Sequence, residues 1–372
     1  MNKSLYIVAF SLAFATTGIA QNNEGQDKVI DLGTQTTTEL RKTQAVSTIY
    51  SDELDKNATT SPYNAIYGLL PGLSVMQNTS WGTDKSRLNV RGRGSLNGDT
   101  PLFVVDGFAR PLEYINLSEI ESISVLKDGA ATALWGGRGA NGVVLITTKR
   151  GIYNQKDIKV DYKFGLGLPV NQPEFADAYT YAKARNEALR YDGLQPDMDE
   201  ASFLSGGNSD LYPNVDWQKE ALRNHTTSHQ LDITFRGGGK RLRYFSVLNY
   251  KNDMGLLNSK YTDYTDRYNS QMKKYFLNLR MNLDVDITDA TKLKLSMLGM
   301  LRETKRPTTS EATLFEQIFN TPFAAFPVQT LNGFWGSNNV LKTNPIANLA
   351  DVGYYKLNQR MLQADLRLVQ DL

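Results

Sequence analysis

Two stretches of this chain alternate apolar and polar residues almost without fault. Over residues 157–168, Ile158, Val160, Tyr162, Phe164, Leu166 and Leu168 fall on one face, and Asp157, Lys159, Asp161 and Lys163 on the other. Over residues 274–287, Tyr275, Leu277, Leu279, Met281, Leu283, Val285 and Ile287 alternate with mostly polar partners. A period of two marks a strand with one apolar face. Further strands are predicted over residues 230–236, 242–251, 292–302 and 362–372. The one holding Phe245 and Val247 alternates poorly.

The links between these strands alternate as well. Gly237-Gly238-Gly239-Lys240 and residues 288–291 make short connections, whereas 169–229, 252–273 and 303–361 are long. Outer-membrane barrels alternate in this way, with short periplasmic turns and long extracellular loops. Six strands do not close a barrel, which starts at about eight. The last strand runs to Leu372 without a terminal aromatic, so the expectation is the N-terminal part of a longer protein.

Residues 101–151 have another character. Three β-branched runs, 103–105, 120–126 and 143–148, are punctuated by Asp106-Gly107, Asp128-Gly129 and Asn141-Gly142. Such dipeptides set sharp reversals. Between them residues 130–134 leave room for about one helical turn before Gly136-Gly137 stops it. Upstream, residues 45–50 read as a strand. Residues 61–70 read as a helix, with Ser61 as cap and Pro62 in its first position. The whole is a small α/β unit without space for a deep catalytic cleft.

The N-terminus reads as an export signal over residues 1–20: Lys3, an apolar run over 5–15, and Gly18-Ile19-Ala20 before Gln21. That run is shorter than the ~20 residues a spanning helix needs. No cysteine follows it to carry a lipid.

Composition narrows the chemistry. With 41 basic and 39 acidic residues there is no electrostatic case for nucleic acid. The absence of cysteine removes thiol nucleophiles, thiolate metal sites and disulfides. His225 and His229 have a spacing that bridges a metal on a helix, but a polar loop entering a strand is the preferred reading. Nineteen tyrosines and fifteen phenylalanines in a polar chain suit a transmembrane barrel, whose lumen-facing residues dilute its hydropathy.

Several motifs in order, PLFVVDG, IESISVLKDG followed by Ala130, WGGRGANG and VVLITTKRG, resemble the plug domain of TonB-dependent outer-membrane transporters of the SusC/RagA family. The strand at 88–92, the segment Asp210-Leu211-Tyr212-Pro213-Asn214-Val215-Asp216-Trp217 and GGGKRLRYFSVLNYKNDMG are similar to the family too. The resemblance runs from about residue 27 into the 300s. There is no room here for the immunoglobulin-like domain that many members carry before the plug. The fold expected is an incomplete transmembrane antiparallel β-barrel of about six strands, preceded by a small α/β plug domain. Its divisions are a signal peptide (1–20), a flexible tail (21–42), the plug (43–151) and the first part of the barrel (152–372).

The resemblance implies site residues. The β-prone island Lys28, Val29, Ile30, Asp31 and Leu32 corresponds to the TonB box, an extended strand offered to a periplasmic partner. Plug arginines can pair with carboxylates on the barrel wall by bidentate hydrogen bonds. This locking role is preferred over a solvated surface residue for Arg91, and the two readings are even for Arg93 and Arg138. Tyr212, Trp217, Phe334 and Trp335 are loop aromatics that stack on a sugar or peptide, or simply pack the loops.

Other patterns imitate chemistry. The Gly237–Gly239 run with Lys240 lacks the phosphate-loop spacing and a following helix. Asp197, Asp199 and Glu200 are read as the acidic start of a helix in preference to a calcium site. Turn formation accounts for Asp106 and Asp128. No catalytic set, cofactor or metal site is assigned, and an exported enzyme is disfavoured. The resemblance implies a plug-gated importer of oligosaccharide or peptide, energised through TonB and supplied by a SusD-like surface lipoprotein, in contact with outer-membrane lipid. A TonB-linked signalling receptor and a non-functional fragment are the remaining alternatives.

Overall fold

The computed structural model describes residues 10–13, 29–31, 36–38, 43–57, 59, 61–77, 86–95, 98–170 and 172–371. Up to residue 150 the strands are short: β1 (Phe10–Ala13), β2 (Val29–Asp31), β3 (Thr36–Thr38), β4 (Val46–Tyr50), β5 (Leu73–Met76), β6 (Arg87–Val90), β7 (Leu102–Val105), β8 (Phe108–Ala109), β9 (Ile120–Leu126) and β10 (Val143–Thr148). Five of them form one sheet in the order β4-β9-β10-β7-β8. Within it β10 lies antiparallel to β9 and parallel to β7.

Both faces of this sheet are covered, which is why its strands read as continuous apolar runs. Val144 and Ile146 point into a cluster with Ile49, Leu54, Ile66 and Leu88. Val143 and Leu145 point the other way, into a cluster with Val46, Val104, Leu126 and Ile30. The turn after Asn141 is tight: Gly142 has φ +90°, and a Cβ there would lie 2.8 Å from the Val90 side chain.

The predicted helix over 61–70 is shorter in the structure. It spans Pro62–Ala65, and Ser61 makes no side-chain cap. The following residues turn instead, reaching Gly68 at φ +73°, with Ile66 and Leu70 still buried. The predicted turn of helix over 130–134 forms at Gly129–Thr132, where the Asp128 carboxylate accepts from Ala131 N.

From residue 156 the chain forms long strands: β11 (Lys156–Gly167), β12 (Thr226–Gly238), β13 (Leu242–Met254), β14 (Lys273–Asp286), β15 (Thr291–Pro307) and β16 (Tyr354–Gln370). They are hydrogen-bonded in sequence order, each antiparallel to the next. The predicted strands are all present, most of them extended toward the long links.

On the convex face Ile158, Val160, Leu277, Leu279 and Met281 are exposed. On the concave face Asn278, Arg280, Asn282 and Asp284 are at most 4% exposed, because the plug sits against them. This explains the poor alternation of β13. Phe245 and Val247 occupy inward positions and are fully covered, so that strand is apolar on both faces where its inner face meets the plug.

The outer edge of β11 is paired with β1. At the opposite pole of the strands the three long links share one core of Trp217, Leu222, Leu257, Tyr261, Leu314, Ile318, Phe326 and Leu349. They form a single packed cap.

Candidate functional site

The densest chemistry lies where plug meets wall. Asn116-Leu117-Ser118-Glu119 makes a 3-10 turn in which the Asn116 side chain and the Glu119 carboxylate cap each other's backbone. Leu117 is buried in the plug core and pins this turn, so Glu119 projects at the start of β9 with 0% exposure. On the wall, period two places Asn278, Arg280, Asn282 and Asp284 of β14 in a row on the inner face. Arg280 Nε donates to Glu119 Oε2 at 2.5 Å, and Asn278 Nδ2 donates to Oε1. Burial pushes the Glu119 carboxyl upward from its ordinary range, while the Arg280 guanidinium pulls it back.

Around this pair the contacts fan outward. Arg280 Nη1 also lies 3.9 Å from Asp106. Asp106 has φ +48°, and its carboxylate accepts from the N and the Oγ1 of Thr148, at 3.0 and 2.7 Å. Asn282 Nδ2 donates to Thr148 Oγ1 at 3.0 Å and to the Lys149 carbonyl at 2.7 Å. Arg150 pairs with Asp284 at 3.3 Å. Asn116 Nδ2 donates to Asp232 of β12 at 2.9 Å, and Gln230 and Asn249 donate to the same carboxylate. Arg110 of the plug meets Asp365 of β16 at 2.7 Å, and Arg302 of β15 donates to the Glu113 carbonyl at 2.5 Å.

Plug and wall are also joined covalently at close quarters. A Cβ on Gly151 would sit 2.3 Å from the backbone N of Tyr244, so the exit from the plug presses directly on β13.

The residues singled out in the sequence fall in several places. Arg91 is exposed at φ +57°, and its charge helps hold Asp128 ionised inside the plug. Arg93 pairs with Asp99 at 3.0 Å, beside a fork from Arg87 at 3.0 and 2.9 Å. Hydrogen bonds from Arg87, with help from Arg93, hold the Asp99 carboxyl below its ordinary range. Arg138 is exposed. The fastening of plug to wall thus runs through Glu119, Asn116, Arg110 and Arg150 on the plug side.

Lys28 and Leu32 lie outside the described residues. Val29, Ile30 and Asp31 form a hairpin with Thr36–Thr38, and Ile30 is 1% exposed against the second face of the plug sheet. Ile30 packs on the apolar face that the strands β7, β9 and β10 leave there.

The loop aromatics separate. Trp217 has 0% exposure; its Nε1–H donates to the Pro322 carbonyl at 3.1 Å, and its ring meets Phe326 edge-on. It is a core residue of the cap. Tyr212 packs edge-on against Phe203, and Trp335 lies tilted against Tyr264. Phe334 is 72% exposed.

Of the weighed alternatives, His229 bonds Tyr162 through Nδ1 at 2.7 Å. Asp199 caps the helix Glu200–Ser205, while Asp197 is held by Arg185 at 2.6 Å. Among the described residues no cluster of three or more His, Asp or Glu has the arrangement of a metal site.

Residues 38–143 match the family described as the TonB-dependent Receptor Plug Domain. TonB-dependent receptor P26 of Formosa agariphila is 26% identical over 89% of this chain and 32% of its own length. TonB-dependent receptor SusC of Bacteroides thetaiotaomicron is 30% identical over 72% of this chain and 26% of its own length. The chain therefore spans about a quarter to a third of the length of the curated relatives it matches. The RagAB peptide importer in its open-open state superposes with a TM-score of 0.66 at 21% identity, covering 86% of this chain and 38% of that one. Six wall strands around a seated plug are the corresponding part of such a barrel. By its plug, its strand order and these relatives, the chain belongs to the TonB-dependent receptors of the SusC/RagA type, proteins of the outer membrane, and covers their N-terminal part.

Proposed function

We propose that the receptor to which this chain belongs is a plug-gated nutrient importer, energised through TonB and supplied by a SusD-like surface lipoprotein. The observation that carries the gating is the chemistry of the seat. The plug is held to the wall mainly by side-chain hydrogen bonds and ion pairs, at Glu119, Asn116, Thr148 and Arg150. Its own apolar clusters are closed within it. A polar seam exchanges its partners for water when it parts, so each bond costs about 0.5–1.5 kcal/mol net to release when neutral and about 1.5–3 kcal/mol when a charged group takes part. Parting an apolar interface would expose surface at about 25 cal/mol per Å². A plug seated this way can be drawn aside without unfolding its core.

The pull is assigned to the segment around Val29–Asp31. A partner strand added there gains main-chain hydrogen bonds that tolerate variation in side chains. The cargo class is oligosaccharide or peptide, and likeness to a peptide importer supports the second. The cap with its exposed Phe334 is the surface first met by cargo.

Growth on an oligosaccharide or peptide as sole nutrient tests this reading in cells making the whole receptor. Growth is expected to stop on removal of TonB, and on Ile30→Pro at equal surface level. Unchanged growth in both cases would overturn it.

A further inference from the structure

The convex face carries a pattern that plug gating does not use. Across β14, β15 and β16 four successive rungs face outward. From the middle of the strands toward the long links they read Leu279-Gly299-Leu362, Leu277-Leu301-Arg360, Tyr275-Glu303-Asn358 and Lys273-Lys305-Lys356. The first two rungs frame a groove of about 570 Å³ together with Leu248. Its floor is open because Gly299 has no side chain, and a Cβ there would meet nothing within 4 Å.

The top rung conflicts with sheet energetics. Three lysines stand directly opposite one another, and like charges in that relation destabilise a sheet. Glu303 offsets one of them, through Lys356 at 2.8 Å. Lys305 also stands over the Tyr354 ring at 4.6 Å. The rung remains net positive, and Arg360 adds a further exposed cation two rungs below. A cation on the lipid face is costly unless it reaches the interface or an anion. Six residues separate Gly299 from Lys305, about 20 Å along the strand. That is the reach from acyl-chain depth to headgroup level.

We propose that this face holds a phosphate-bearing acyl lipid of the outer leaflet, with a chain in the groove over Gly299 and its phosphate on Lys273, Lys305, Lys356 and Arg360. The charge complementarity selects the occupant: an apolar slot topped by a positive rung fits an anionic amphiphile, and a neutral lipid leaves the lysines opposed.

The whole receptor, purified from outer membranes in mild detergent, is titrated with lipid A and with dephosphorylated lipid A, and bound lipid is counted by native mass spectrometry. The wild type is expected to retain the phosphorylated form at least tenfold more tightly. K273Q/K305Q/K356Q should abolish that preference, R360Q should reduce it severalfold, and G299L should weaken both lipids together. The single substitution K305Q stands in if the triple variant loses the heat-resistant mobility of a folded barrel. Equal retention of the two lipids, or wild-type preference in the folded lysine variants, overturns the proposal. So does a protein that copurifies on this face and is shed by the same substitutions while lipid binding is unchanged.

Discussion

Arg280, on the inner face of a wall strand, donates to the carboxylate of Glu119, which lies 161 residues earlier at the start of a plug strand. Neither side chain is more than 1% exposed. The pair is the centre of the seat, and the direction of charge matters. The wall supplies the cation and the plug the anion, so withdrawing the plug leaves a guanidinium facing the lumen, where water can reach it.

Removing one partner of a buried pair costs about 3–5 kcal/mol, because the other charge stays buried without compensation. Glu119→Gln is therefore expected to loosen the plug in its seat, seen as faster protease cleavage within residues 43–151 while the barrel stays folded. Combining it with Arg280→Met should recover most of the loss. A double variant no better than the sum of the two single ones would show that the residues do not act as a pair.

Ile30 closes the second apolar face of the plug sheet. Ile30→Ala removes buried methyl groups, a change worth about 2–5 kcal/mol in a core, and should release the hairpin rather than unfold the plug. Amide exchange at Val29–Asp31 is expected to accelerate while exchange in Ile120–Leu126 stays slow. If both segments accelerate together, the hairpin is part of the plug's cooperative unit.

Trp217 and Phe334 should behave oppositely. Trp217→Ala empties the centre of the cap and is expected to cost about 3–5 kcal/mol, read as early melting of the loops by near-ultraviolet circular dichroism. Phe334→Ala, at an exposed position, should leave that signal unchanged within about 0.5 kcal/mol. Any loss of cargo binding in Phe334→Ala then reports contact rather than folding.

Asp128 ties the entry of the chain to the plug sheet. Its carboxylate accepts from Ala45 N at 2.7 Å and from Ala131 N at 2.8 Å. The Ala45 amide above all, then Ala131 and the charge of Arg91, hold it below its ordinary range against the effect of burial. A carboxylate depressed in the folded state contributes stability that is present above its unfolded pKa and lost as pH falls through the folded value. The Ala45 amide is thus expected to lose exchange protection on acidification below the ordinary Asp range, relative to the unfolded chain at each pH. Asp128→Asn should flatten that dependence. Equal pH profiles in the two proteins would show that another group is responsible.

The period-two pattern determined a great deal. Strands β11 and β14, the alternation of short and long links, and the inward row Asn278, Arg280, Asn282 and Asp284 all follow from residues two apart pointing the same way. The Asp-Gly and Asn-Gly steps fixed the reversals of the plug, since few other residues accept those backbone angles. The turn Asn116–Glu119 was also legible in principle, as a capping spacing just before an apolar run.

Pairing across the seat was decided only by the tertiary structure. Which plug residue meets which wall residue depends on how far the plug is inserted, and no local pattern encodes a contact 161 residues apart. An arginine after a short strand, such as Arg91, is conspicuous in sequence, whereas a buried glutamate such as Glu119 becomes conspicuous only once its surroundings are known. The same holds for Trp217, which periodicity leaves as a loop aromatic and the shared core of three long links buries. It holds for Ile30 too, where a short β-prone run reads as a tail until the uncovered face of the plug sheet is seen beneath it. Strand direction and facing are local properties of the backbone, and the sequence by itself determined them. Burial depends on what else arrives, and only the assembled plug, wall and cap decided it.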